Sequence, residues 1–558
     1  MHFHWLRTKS LSTLQGLTLS FLLISPASAN WRYRSRPDLS PPTLNITIPA
    51  TNEVEKGYIF AAPFAGFPEG THHGPQQAAP YIFTDSGDLV WSGFTYFSIW
   101  ATNFQASRYK GQDILFSFEG SHNAAYGHGY GHTTFLNQNY ETILELRAGN
   151  HRLTDKHEFH IINEETALIQ IYHPVPWNLT AYGGSEEQQW IVDARFQELD
   201  IESGEVLFEW SSLDYVKPSE AFLPLNPGQA GSGYNSSDAW DYFHINSVDK
   251  DSEGNYLISA RDANAVYKIN GTNGDLIWQL GGKSSDFALG DQVKFAFQHH
   301  ARYLEKSKDG TKEAISLYDN SAHGTESGHG DEVHFYKYSR GKIIEVDTNT
   351  WKAKLVQSFN PPDNLLSKSQ GSTQILPNGN ALVNWGSEGA VTEFRPDGTP
   401  IFHAYFDSGY LGLGVENYRA FRYNWTGIPN EAPAIVALEN KDNSETSIYV
   451  SWNGDTQTKL WRFYEVDETG HRSYVGQAER HSFETVLKLD RTKLKNVEAE
   501  GLDAEGAVLT STSAVRPEVE ILEFKTKSRK SKEYHVKHQD LSYSAQRKLG
   551  GKSSAENL

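Results

Sequence analysis

Three histidines sit a short way upstream of three similar apolar runs. They are His157 in KHEFHIINEETALIQIY, His244 in FHINSVDKDSEGNYLISARD and His299 in FQHHARYLEKSKDGTKEAISLYDN. Gln370, in SQGSTQILPNGNALVNWG, holds the corresponding place before a fourth run. If the repeated units surround one axis, three imidazoles and a carboxamide converge at one end of it. An imidazole titrates near neutral pH, so such a cluster is suited to acid/base work. Arg261 and Asp262 end one apolar run, Asp319 and Asn320 end another, and Arg302 follows the His299–His300 pair. Guanidinium groups near the mouth of a channel suit an anion, which they bind through two parallel hydrogen bonds. For any single arginine, pairing with a neighbouring carboxylate is the ordinary expectation. The run GSHNAAYGHGYGH carries His122, His128 and His132 on one predicted loop lining the entrance. Its spacing matches no standard metal motif, and a metal site there is the alternative. His300, beside His299 on an extended strand, should face the other way and support the structure.

The elements that would position these residues are strands. Six short apolar runs recur: GYIFAAPF (57–64), DILFSFEG (113–120), TALIQIYH (166–173), NYLISARD (255–262), EAISLYDN (313–320) and NALVNWGS (380–387). Each is followed by a turn leading into a second strand, as in FTDSGDLVW, INGTNGDLIW and FRPDGTPIF. The Asp/Asn-x-Gly turns supply positive φ, and the β-branched and aromatic flanks favour strands. Successive runs begin 56, 53, 89, 58 and 67 residues apart, the long interval holding a Ser/Pro/Gly/Asn-rich insertion at 211–240. Four-stranded propeller blades take roughly 40–50 residues each. The chain is therefore expected to be all-β, with a six-bladed β-propeller over 50–428. A β-sandwich or β-helix with accidental periodicity is the alternative. Alternating strands from 429 to 523 predict a small immunoglobulin- or fibronectin-like β-sandwich, and 524–558 reads as a basic disordered tail.

Composition bounds the remaining choices. The chain has 558 residues, 13% of them aromatic, and a formal net charge of −19, which argues against nucleic acid as a partner. Residues 1–29 show the basic, apolar and small-residue order of a signal peptide with cleavage after Ala29, followed by an extension over 30–49. No segment approaches the ~20 apolar residues of a membrane span. Five N-x-S/T sequons, at Asn45, Asn178, Asn235, Asn270 and Asn424, agree with a secreted glycoprotein. There is no cysteine, so thiol catalysis and thiolate metal sites are excluded. No metal or cofactor is expected.

RPDLSPPTLNITIP, PYIFTDSGDLVWSG, GYGHG, KHEFHII, FHINSVDKDSEGNYLISARD, FQHHARY, SRGKIIEVD, LPNGNALVNWG and YRAFRYNWTGIP together resemble the fungal branch of the arylsulfotransferase family, over roughly residues 36–430. Bacterial members of the wider family are six-bladed periplasmic propellers. They move a sulfuryl group from a phenolic sulfate ester to another phenol through a sulfated histidine, without a nucleotide donor. The resemblance implies a small aromatic substrate, with His244, His299 and His157 catalytic and Arg261 or Arg340 as the sulfuryl clamp. Asn246, Gln370, Arg302 and His128 would bind substrate. The sequence departs from the bacterial pattern in three ways. No histidine lies in 370–393, no disulfide can form, and His300 stands where fungal relatives commonly have an acid. Two other functions fit the same residues. One is isomerase, cyclase or lyase chemistry in secondary-metabolite biosynthesis; the other is a non-catalytic propeller that binds glycans or proteins.

Overall fold

A computed structural model describes residues 32–66, 75–97, 100–123, 127–324, 332–406, 414–440, 444–491 and 493–520. The signal peptide and the basic tail expected from the sequence lie outside these residues. The described chain is nearly all β, built from many small antiparallel sheets. None of its helices is long and apolar enough to cross a membrane.

Six sheets of four or five strands follow one another along residues 45–423. Each recurring apolar run forms the second strand of its sheet: Tyr58–Ala61, Gln112–His122, Thr166–Pro176, Tyr256–Ala260, Lys312–Asp319 and Ala381–Asn384. These strands read as apolar runs because most of their residues are buried on both faces. The turn motifs join the third strand to the fourth, as between Ala265–Ile269 and Leu276–Gly281.

The first strand of each sheet was not legible as a repeat. These strands are Trp100–Tyr109, Phe159–Ile162, Ile245–Lys250, His299–Lys306 and Ser372–Ile375 in the second to sixth sheets. Three of them pair irregularly, with bulges between Thr102 and Gln105, Ile245 and Ser247, and His299 and Arg302. Bulges re-aim side chains and are common beside sites. In the first sheet the equivalent strand comes from far along the chain, Phe421–Tyr423 pairing with Tyr58–Ala61. The amino-terminal strand Asn45–Ile48 in turn completes the sixth sheet beside Pro400–Tyr405. Neighbouring sheets touch in chain order, and the sixth touches the first through Ala381–Asn384 against Phe421–Tyr423.

Two further four-stranded sheets follow, one around Thr446–Ser451 and one around Leu460–Val466. Ile448 and Val450 of one share a buried cluster with Trp461, Phe463 and Val497 of the other. This part is tied back to the first sheet by Asn453, whose amide bonds both the N–H and the carbonyl of Ser92. The Tyr140 hydroxyl donates to the Gly454 carbonyl at 2.7 Å while its ring stacks on Trp91.

Candidate active site

His157, His244 and His299 all stand at the same end of the first strands: two residues before Phe159–Ile162, immediately before Ile245–Lys250, and as the first residue of the third. All three are buried. The rings of His157 and His244 lie 4.9 Å apart, edge to face. The Tyr418 ring lies 5.4 Å from that of His157 and 6.4 Å from that of His299, and its hydroxyl donates to the His157 carbonyl.

Each imidazole is anchored through Nδ1. His157 bonds Asp155 at 2.5 Å, His244 bonds Asp241 at 2.6 Å and His299 bonds the Asn320 Oδ1 at 2.7 Å. The anchors fix the tautomers. A carboxylate only accepts, so Nδ1 of His157 and of His244 carries hydrogen. Asn320 spends its amide N–H groups on the carbonyls of Ser367 and Gln370, so its oxygen faces His299 and Nδ1 there is again the donor. Among the described residues none of the three Nε2 atoms has a hydrogen-bond partner. His157 and His299, both held well below the ordinary imidazole pKa, thus present a bare nitrogen lone pair, the form that acts as nucleophile or base.

The electrostatics hold two of the three imidazoles neutral. Burial, and then the charge of Arg261, hold His299 well below its ordinary pKa. Burial followed by Lys156 does the same to His157. Asp241 behaves differently: burial raises its pKa, but the facing His244 and His128 outweigh that and hold the carboxyl below the usual range. Asp155 is pushed up to about 6 by burial.

His128 is not an exposed entrance residue. It is buried, and its Nε2 meets the same Asp241 oxygen that His244 uses, at 2.8 Å. The other two members of its run lie in strands instead of on one loop, His122 as the last residue of Gln112–His122 and His132 within Gly129–Leu136. His122 stacks on Trp100 and bonds Lys156, while His132 pairs with Glu119. His128, Asp241 and His244 also offer three donor atoms close enough for a metal ion. The Asp241 bonds to two N–H groups account for that closeness without one.

Arg261 donates to Asp262, to Nδ1 of His323 and to the Lys368 carbonyl, and lies over the Phe297 ring. Arg340 is held by Asp319 and the face of Tyr336, and bonds none of these histidines. The Asn246 amide donates to the Gln298 carbonyl of the next sheet. Arg302 pairs with Glu158, which also takes the fully buried Arg419. Asn246 and Arg302 therefore serve sheet-to-sheet contacts. Gln370 takes a left-handed backbone (φ 66°), bonds Glu416, and supports Asn320 through its own carbonyl. His300, also left-handed (φ 55°), bonds the Thr373 backbone and packs on Phe421, apart from the Asn320 anchor of His299.

Sequence reasoning did not single out Asp155, Asp241, Lys156, His323 or Tyr418. A usable signal was present for the two carboxylates: Asp155 and Asp241 stand two and three residues before their histidines.

A nearly all-β chain with histidines anchored on acceptors at one edge of consecutive sheets is the class this geometry defines. The arylsulfotransferase (ASST) family matches residues 105–407, more than half of the chain, and the chain belongs to that family. No curated protein sequence matches it. Among solved structures it is similar to a protein of unknown function from Bacteroides caccae (10% identity, TM-score 0.35, covering 65% of this chain and 98% of that one). It is also similar to a protein from Lactobacillus plantarum (11%, 0.30, 78% and 100%) and to the GH43 protein BlXynB from Bacillus licheniformis (8%, 0.27, 74% and 89%).

Proposed function

We propose that the chain moves a sulfuryl group from an aryl sulfate to a second phenol through His299, without a nucleotide donor. In this reading the six sheets are blades of a closed propeller, and the two later sheets form an immunoglobulin- or fibronectin-like sandwich. The chain is a secreted glycoprotein of the fungal branch, with residues 1–29 as its signal peptide.

The observation that carries the reading is the set of three imidazoles tied through Nδ1 with Nε2 bare. Their partners divide the labour. His299 has a neutral partner, Asn320, and is the imidazole whose protonation the Arg261 charge opposes. It attacks sulfur through Nε2; the N–S bond forms as the S–O(aryl) bond breaks, and the electron pair leaves on the phenolate oxygen. Arg261 offsets the charge on the sulfuryl oxygens. A neutral partner also keeps the sulfated imidazole a good leaving group.

His244 has a carboxylate partner, so Asp241 stabilises the imidazolium formed when Nε2 takes the proton of the acceptor phenol. The acceptor oxygen then attacks sulfur and the N–S pair returns to His299. His157 orients the phenolic oxygen from the adjacent position. The test is incubation with 4-nitrophenyl sulfate and phenol. Acceptor-dependent release of 4-nitrophenol is expected, and both His299→Ala and His244→Ala should abolish it. Release that survives both substitutions refutes the assignment.

A further inference from the structure

The second strand of the third sheet, Thr166–Pro176, carries Tyr172, whose ring lies 5.4 Å from that of His157 and 5.0 Å from that of His244. Trp177 stands five residues further on, about 17 Å along an extended chain. Its backbone is fixed, the N–H donating to the Gln189 carbonyl, yet the side chain is 38% exposed. The indole borders an open groove of about 660 Å³, whose other sides include Asn178, Thr180, Ser185, Glu186 and Gln189. An indole beside a set of short polar side chains suits a saccharide. The ring takes the apolar C–H face of the sugar, and the polar groups take its hydroxyls and amide.

A second observation says which saccharide. Asn178-Leu179-Thr180 is a sequon. Leu179 is fully buried in the core, which pins the tripeptide with Asn178 and Thr180 outward. The Asn178 Oδ1 accepts from the Thr180 N–H at 3.0 Å and from the Thr180 hydroxyl at 2.7 Å. A backbone N–H only donates, so the amide oxygen is the atom turned to Thr180 and Nδ2 lies on the other side. That Nδ2 has no partner among the described residues, and Asn178 lines the groove. Asn235 makes the same two bonds with Ser237 but is not part of the groove's lining.

We propose that Asn178 carries an N-linked glycan whose first N-acetylglucosamine seats in this groove with its face on Trp177. Attachment joins Nδ2 to the anomeric carbon of an oligosaccharide carried on a polyprenyl diphosphate. The N–C bond forms as the C–O bond to the diphosphate breaks, the electron pair leaves with the diphosphate, and the amide gives up one proton. The glycan then covers the indole and is held against the third sheet. The inference rests on the reading of the chain as a secreted glycoprotein, and goes beyond it by naming one sequon and the surface that holds its sugar.

The full chain is expressed in a eukaryotic secretory host and kept native while peptide-N-glycosidase acts in ¹⁸O water. Each released site becomes a labelled aspartate, and peptide mass spectrometry times its appearance. Release at Asn178 should be about three- to tenfold faster in Trp177→Ala than in wild type, the range of one aromatic contact. The other occupied sequons should keep their rates. Trp177→Phe, which keeps a ring, should retain most of the protection. Hydroxyl-radical footprinting reads the other side of the contact: Trp177 oxidation should rise by a similar factor in Asn178→Gln. Thermal melts check that the variants stay folded. Equal release at Asn178 with and without the indole, or Asn178 bare while other sequons are occupied, overturns this inference and leaves secretion standing. A chain with no glycan at any sequon overturns both.

Discussion

Replacing Asp241 by Asn tests the division of labour between the histidines. The carboxylate accepts three hydrogen bonds: from Nδ1 of His244 at 2.6 Å, from the His244 backbone N–H at 3.0 Å and from Nε2 of His128 at 2.8 Å. One of its oxygens serves both imidazoles. An amide can point its oxygen at the imidazoles, setting its NH2 against a backbone N–H, or reverse. In the reversed form His244 must move its proton to Nε2 and is no longer a base. In either form the negative charge facing the imidazolium is gone. Opposite charges about 4 Å apart are worth about 4 kcal/mol at an effective dielectric of ~20, so proton abstraction should slow by about 10²–10³.

The effect should fall on one half-reaction. In rapid mixing with 4-nitrophenyl sulfate alone, the burst of 4-nitrophenol should stay within a few-fold of wild type, because the leaving phenolate needs no proton. Turnover with an added phenol should drop by the full factor. An equal loss in both phases, or a turnover loss under about threefold, would refute the assignment of His244 as the base.

Other consequences follow from particular groups. Glu158 is fully buried between Arg302 and Arg419, and Glu158→Gln, which leaves two cations uncompensated, should cost about 3–5 kcal/mol in urea melts. Burial raises the Glu158 pKa but the two arginines outweigh it; its contribution is complete above the unfolded carboxyl pKa of ~4.3 and is lost as pH falls through the lower folded value. A stability curve with no acid loss removed by Glu158→Gln would contradict this. Asp155, pushed up to about 6, gains its proton as pH falls through that value, and the His157 anchor changes with it. Turnover should show an acid limb near pH 6 that Asp155→Asn shifts or abolishes, and an unchanged limb would count against His157. Asn45, Asn178, Asn235 and Asn424 are exposed and Asn270 is half-buried. Expression in a eukaryotic secretory host should give a mass shift on peptide-N-glycosidase treatment that Asn→Gln at the exposed sites mostly removes; no shift would oppose secretion.

The legible part of the fold was the part under simple packing rules. Strands such as Tyr256–Ala260 are buried throughout and flanked by Asp/Asn-x-Gly turns, so both pattern and punctuation mark them. The first strands carry the site, and polar residues and bulges erase their alternation. The first sheet's edge strand, Phe421–Tyr423, lies some 360 residues from its partner, and no local signal announces such a pairing. The histidines were found because they precede the legible strands at similar distances. Their anchors divide by range: Asp241 is three residues from His244, whereas Asn320 reaches His299 across 21 and His128 reaches Asp241 across 113. The long-range contacts depend on which sheets face one another. That is also why Arg302 and Asn246, placed near the site by sequence, turn out to bind Glu158 and Gln298.

The central claim is a covalent step at one nitrogen. The protein would be mixed with ³⁵S-labelled 4-nitrophenyl sulfate without acceptor, quenched under alkaline conditions and digested, and the labelled peptide sequenced. The account predicts a single label on His299, discharged when phenol is added before quenching and absent from His299→Ala. Label on another residue, or release of 4-nitrophenol with no label on the protein, would contradict it.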